Sequence, residues 1–201
     1  MTDLPITLAI DTAAPRLNLG LVLGGGRTDG LVEDIARGHA EILFARIETL
    51  LARHGLGYAD VQRIAATTGP GSFTGLRIGL AAARGLGLAR RLPVLGIPSL
   101  VALSLGGAGG PLTVLLDARR EEAYIQHFAA PGVPAGAARL LPMGEARQQA
   151  TGETITSPFL DPALLARFAA GAAPQAYPPH AAYIRGADAK PQDAARIPRR
   201  A

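Results

Sequence analysis

Residues 6–23, Ile6-Thr7-Leu8-Ala9-Ile10-Asp11-Thr12-Ala13-Ala14-Pro15-Arg16-Leu17-Asn18-Leu19-Gly20-Leu21-Val22-Leu23, hold two apolar runs around a turn at Ala14-Pro15-Arg16. Ile6 to Ala14 reads as an apolar strand. Leu17, Leu19, Leu21 and Leu23 alternate, the period of a strand with one buried face, and Gly24-Gly25-Gly26 ends it. A hairpin therefore opens the domain. A weaker third strand is expected over 28–36, after which the apolar period changes from two to 3.6 between Gly38 and Gly55. Projected at about 100° per residue, Ala40, Leu43, Phe44, Ile47, Leu50 and Leu51 share one arc, which predicts a helix with a single core face.

Further strands are expected at 64–68 and 93–97, each leading into a helix, over 76–91 and from Pro98 to the glycines at 106–110. Three meandering strands followed by βα units predict a mixed five-strand sheet covered by helices. This is the topology of the ribonuclease H-like half of the actin and Hsp70 superfamily. About a hundred residues after Thr7-Leu8-Ala9-Ile10-Asp11-Thr12, the run Thr113-Val114-Leu115-Leu116-Asp117-Ala118 again ends a strand in aspartate before a hairpin, so the chain reads as two copies of one unit. Residues 131–179 are loaded with Gly, Ala and Pro and leave helical candidates only at 143–150 and 162–170. The expected organisation is an α/β, actin-like/Hsp70-like (ribonuclease H-like) duplicated fold: a first lobe over 1–108, a reduced second lobe over 109–190 and a basic, disordered tail over 191–201.

Composition excludes whole classes of function. The 201 residues are 48% hydrophobic and 18% charged, enough to bury a core, and the absence of cysteine excludes disulfides, thiolate metal sites and a cysteine nucleophile. Of the formal charge of +4, residues 185–201 carry five cations against two anions, leaving about +1 for the rest. With aromatics at 4% and no Trp, the body lacks the stacking platforms of a nucleic-acid binder. No apolar run approaches the roughly 20 residues of a membrane span, and Met1-Thr2-Asp3-Leu4-Pro5 lacks the pattern of a signal peptide. A cytoplasmic protein without membrane contact is expected.

The loop Gly69-Pro70-Gly71-Ser72-Phe73-Thr74-Gly75 matches neither the Walker A nor the dinucleotide pattern, nor the nucleophile elbow, and a strand-to-helix turn capped by Ser72 or Thr74 is favoured. Asp11, with Thr12 after it, and Asp117 stand where actin-like kinases place the acidic residues of their first and second phosphate motifs. Bulky residues follow both, Thr12-Ala13-Ala14-Pro15-Arg16 and Ala118-Arg119-Arg120-Glu121, where glycines are needed, so the nucleotide site reads as degenerate. The alternative for both aspartates is hydrogen bonding at strand-end turns. His39, His54, His127 and His180 show no i, i+4 pair, and no metal site is expected. In the second helix Gly75, Gly79, Ala83 and Gly87 recur every four residues, a strip of small side chains that admits another helix. Arg77, Arg84 and Arg91 form a basic stripe, and His39, Ile42, Arg46, Thr49 and Arg53 form a stripe on the first helix. The two faces suggest a helix–helix partner interface; solvated arginines and one exposed isoleucine are the alternative.

Ala9-Ile10-Asp11-Thr12-Ala13, the run from Gly69 to Gly79, Pro93-Val94-Leu95-Gly96-Ile97-Pro98-Ser99-Leu100 and Asp117-Ala118-Arg119-Arg120-Glu121-Glu122-Ala123-Tyr124 closely resemble the TsaB (YeaZ) family. The resemblance covers residues 6 to about 128, and Tyr183 to Gln192 resembles the family's C-terminal ending. It implies a non-catalytic scaffold and activator subunit of the bacterial machinery that makes threonylcarbamoyladenosine in tRNA. Such a subunit dimerises with the catalytic paralogue TsaD through the two first-lobe helices, helps recruit the P-loop ATPase TsaE and meets tRNA only through the complex. The catalytic paralogue holds its metal on a helical H-x-x-x-H pair; this chain offers His39 but Leu43. No cofactor is then required, with room for weak ATP or ADP binding at a subunit boundary, and the same helices can pair two copies when the partner is missing. A small actin-like ATPase or kinase using Asp11 and Asp117 is the rival reading, and a peptidase finds no nucleophile or metal set. The interface residues expected are His39, Ile42, Arg46, Thr49, Gly75, Gly79, Ala83, Arg84 and Gly87, with Gly79 and Ala83 replaceable at the cost of docking but not of the fold.

Overall fold

A computed structural model describes residues 4–35, 37–182 and 184. The five expected strands of the first sheet centre on β1 (Thr7–Asp11), which pairs antiparallel with β2 (Arg16–Val22) and parallel with β4 (Arg63–Thr67); β3 (Thr28–Asp34) and β5 (Val94–Ile97) complete the order β3-β2-β1-β4-β5. Alternation decides what each face buries. Leu8, Ile10, Leu19, Leu21 and Ile64 pack under α1 (His39–Ala52) and α2 (Phe73–Arg90). Ala9, Val22 and Ala65 meet α3 (Ser99–Ser104) and α5 (Pro162–Gly171) on the other face. The last expected residue of the third strand, Ala36, lies outside the described residues.

The second sheet repeats the plan in shorter strands. β6 (Leu112–Arg119) and β7 (Glu122–Ala130) form its hairpin, β8 (Val133–Pro134) and β9 (Arg139–Pro142) pair with β7, and β10 (Glu153–Ile155) runs parallel to β6. α4 (Met143–Gln149) stands between β9 and β10 as α1 stands between β3 and β4, and its Ala146 packs with Leu115, Ala123 and Ile125. The β6–β7 turn holds Arg119, Arg120 and Glu121 in the left-handed region, at φ 64°, 53° and 58°.

The lobe boundary differs from the expected one. α5, within the stretch assigned to the second lobe, returns to the first sheet and lies across β1, β2 and β3. Two directly paired glycines make room for it: a Cβ on Gly20 would sit 1.8 Å from the Pro162 carbonyl oxygen, and one on Gly30 3.1 Å from the Pro162 ring. One apolar cluster then joins Leu95 and Ile97 of the first sheet to Leu112, Val114 and Phe128 of the second through α3 and α5. The tail over 191–201, and Tyr183 with 185–192, lie outside the described residues.

Candidate functional site

Asp11 ends β1 and Asp117 lies two residues before the end of β6, and the fold brings both to one cleft of about 590 Å³ between the sheets, with His39, Ser99, Arg119 and Tyr124 among its lining. Asp11 is 2% exposed. Its Oδ1 accepts from Thr67 Oγ1 at 2.6 Å and from the Ala13 N–H at 3.1 Å, and its Oδ2 from Asn18 Nδ2 at 2.8 Å. Burial pushes the carboxyl above its ordinary 3.8, outweighing those hydrogen bonds and the nearby His39. Asp117 is exposed and accepts from the Arg119 N–H at 2.7 Å. Both thus make strand-end turn contacts. Thr12 faces away, its Oγ1 donating to the Gly75 carbonyl at 2.7 Å.

The residues do not fit a phosphate cradle. A Cβ on Gly71 would lie 2.7 Å from Ala13 Cβ and one on Gly75 1.8 Å from the Thr12 carbonyl oxygen, so these glycines let the loop close onto the end of β1. Ser72 caps α2, its Oγ accepting from Gly75 N–H at 3.2 Å, and α2 begins at Phe73 rather than at Leu76. No group of three or more His, Cys, Asp or Glu placed to hold a metal occurs among the described residues.

The small-residue strip of α2 points inward, which corrects that part of the expected interface; Thr49 and Arg84 are exposed. A Cβ on Gly79 would sit 2.7 Å from Thr12 Oγ1 and one on Gly87 2.2 Å from Val94 Cγ2; Ala83 is fully buried. Gly75, Gly79, Ala83 and Gly87 therefore seat α2 on its own sheet, and enlarging Gly79 or Ala83 attacks the fold itself. On α1, His39 is buried with its Nε2–H donating to the Arg16 carbonyl at 3.2 Å, and Ile42 packs on the first core. Arg46 pairs with Glu33 of β3, and Thr49 Oγ1 donates to the Ala45 carbonyl at 2.8 Å. Arg53 and His54 meet Asp29 of β3 at 3.6 and 2.8 Å. Burial alone would raise Asp29, but the hydrogen bonds from His54 and the Gly30 N–H, with the Arg53 charge, hold it below its ordinary value. His39, Arg46, Arg53 and His54 thus tie α1 to β2 and β3, while Thr49 is exposed and bonds within its own helix.

What remains exposed is the far side of both helices. Phe44, expected in the core, is 47% exposed, Phe73 is 54% exposed and Leu88 84% exposed. Ala40, Leu43, Phe44, Phe73, Ile78 and Ala81 line an apolar groove of about 590 Å³ between α1 and α2, and the Arg77 guanidinium stacks 3.9 Å over the Phe73 ring at its rim. Arg84 is exposed on the same side of α2. Phe73, Arg77, Ala81, Arg84 and Leu88 lie opposite the glycine strip, a pattern already present in the sequence.

Two ribonuclease H-like sheets in the duplicated actin-like arrangement, with a tied-up strand-end aspartate in each and an apolar helix face outside, define the class. The family described as TsaD: tRNA N6-adenosine threonylcarbamoyltransferase matches residues 29–155, more than half of the chain, and the chain belongs to it. It is 35% identical over 121 residues to the Escherichia coli K12 tRNA threonylcarbamoyladenosine biosynthesis protein TsaB, a span of 58% of this chain and 52% of that one. An uncharacterised Mycobacterium tuberculosis protein is 43% identical over 122 residues, 58% of this chain and 56% of that one. The chain spans about half the length of the curated relatives it matches. A crystal structure of a Pseudomonas aeruginosa protein with similarity to peptidase YeaZ superposes with a TM-score of 0.73 at 24% identity, covering 90% of this chain and all of that one, which shows the fold. Among the described residues no helix is long and apolar enough to cross a membrane.

Proposed function

We propose that this chain is a non-catalytic subunit in the synthesis of threonylcarbamoyladenosine in tRNA, docking through the α1–α2 groove onto a TsaD-type catalytic paralogue in the cytoplasm and helping it recruit a TsaE-type ATPase. The observation that carries the reading is the groove itself: two exposed phenylalanines on neighbouring helices, rimmed by Arg77, in a chain whose relatives include TsaB. Large exposed aromatics beside an arginine are the residues that dominate association energy when a partner covers them. The residues that a catalyst would use are occupied. His39 is engaged with Arg16, Leu43 is a core residue, and Asp11 is held by three donors. Contact with tRNA is indirect, through the paralogue, and without the paralogue the same groove pairs two copies.

Depleting the protein in its own cells and measuring threonylcarbamoyladenosine in bulk tRNA by mass spectrometry tests the reading. Loss of the modified nucleoside, restored by the wild-type chain and by Asp117→Asn, is expected. Unchanged levels after depletion, or rescue that requires the Asp117 carboxylate, would refute it.

A further inference from the structure

The segment that leaves the second sheet is fastened to the first at successive points. α5 lies in the apolar cluster shared by both sheets, with Leu165, Ala166 and Ala169 fully buried. Its last turn ends on Arg63, the first residue of β4. Arg63 Nη1 donates to the carbonyls of Ala169, Ala170 and Ala172 at 2.8, 2.8 and 2.9 Å, where the carbonyl end of a helix favours a cation. Beyond α5, Tyr177 stacks edge-on against Phe168, ring centroids 5.6 Å apart, and its carbonyl accepts from the Gly96 N–H of β5 at 2.9 Å. Gly96 must be bare here, since a Cβ would sit 2.6 Å from the Pro178 carbonyl oxygen. Ala182 N–H then donates to the Thr68 carbonyl at 2.9 Å, at the rim of the loop that borders the cleft. From the opposite side, Gly132 of the β7–β8 turn packs on Phe168 and Leu105 and donates its N–H to Ser104 Oγ at 3.0 Å.

We propose that Arg63 and residues 160–182 form a latch that holds the two sheets at one separation, so that the cleft between them does not open or close. Closure of a two-lobed protein needs a hinge whose contacts exchange between two arrangements. Here the connecting segment is hydrogen-bonded to the first lobe through Arg63, Gly96 and Thr68 and packed at Phe168 against Gly132 of the second, and a buried apolar cluster shared by both sheets fills the space in which a hinge would move. The guanidinium is the one cation on the α5 carboxyl end among the described contacts, and its removal frees the end that the strap extends from.

The absence of cysteine makes the test direct. Gly24→Cys in the first lobe and Gly144→Cys in the second are exposed and open around the Cα, and carry a nitroxide pair for pulsed dipolar spectroscopy. A single narrow distance distribution is expected in the free chain. Arg63→Met should broaden the distribution or add a second peak, Tyr177→Ala should do so to a smaller extent, and Arg63→Lys should restore the narrow form. Far-UV circular dichroism checks that each variant is folded. Two populations in the unmodified latch, or a folded Arg63→Met as narrow as the parent, would overturn the proposal; the first decides it even if Arg63→Met does not fold.

Discussion

Replacing Gly75 with alanine adds one methyl at a point where no space exists: the new Cβ would stand 1.8 Å from the Thr12 carbonyl oxygen and 3.0 Å from its carbon. The obstacle is backbone at the end of a central strand, and Thr12 is also held to the same residue through its Oγ1 at 2.7 Å, so neither side can yield alone. Overpacking of this kind costs about 1–3 kcal/mol, and a rigid obstacle places it near the upper figure. Alanine returns up to about 1 kcal/mol in a helix interior. The net loss is about 2 kcal/mol, or a fall in Tm of about 4–8 °C for a chain of this size. Gly85, ten residues along the same helix, is the control. It is exposed, and a Cβ there meets nothing within 4 Å. Gly85→Ala should therefore raise Tm by about 2–4 °C, from up to about 1 kcal/mol of helix propensity. Thermal and urea unfolding of the two variants beside the parent measures both. If Gly75→Ala is as stable as Gly85→Ala, the assignment of the glycine strip to sheet packing is wrong.

The orientation of α1 is checked by a pair of truncations: Ile47→Ala opens a cavity at a fully buried site and should cost about 2–5 kcal/mol, whereas Phe44→Ala, at the groove, should stay within about 0.5 kcal/mol of the parent. Equal losses in urea titrations would return Phe44 to the core. Asp11→Asn should be tolerated, because the Asn18 amide can turn its unpartnered Oδ1 toward the new NH₂ group. Since burial raises the folded carboxyl above its unfolded value of 3.8, the folded state binds the proton more tightly, and this group makes the parent more stable as pH falls through the raised value toward 3.8. That gain should vanish in Asp11→Asn, and melts across the acid range that keep the same slope in both proteins would contradict the burial argument.

Much of the first sheet was legible because alternation such as Leu17, Leu19, Leu21 leaves only one way to bury a face. Asp11 and Asp117 could be placed at strand ends for the same reason. Periodicity says which residues share a face, though, and not what that face meets. Gly75, Gly79, Ala83 and Gly87 do form one close-approach strip, but it is their own β1 and β5 that approach, as the contacts to Thr12 and Val94 show. Phe44 lies at the border of the α1 arc, and hydrophobicity cannot distinguish the edge of a core from a face kept for a partner. The stripe from His39 to Arg53 looked unassigned because its partners, Arg16, Asp29 and Glu33, lie on strands distant in sequence. β8 and β10 are two and three residues long, too short to carry a period, and the return of α5 to the first sheet depends on Gly20 and Gly30, whose spacing within their own strands gives no hint of a helix above them.

The claim on which the functional reading stands is that the α1–α2 groove receives the catalytic paralogue. Light scattering coupled to size-exclusion chromatography, on this chain mixed with the TsaD paralogue of the same cells, measures it. The account predicts a 1:1 complex for the parent, and none for a Phe73→Glu variant whose Tm matches the parent's. A Phe73→Glu chain that still forms the complex, or a parent that forms none, would contradict it.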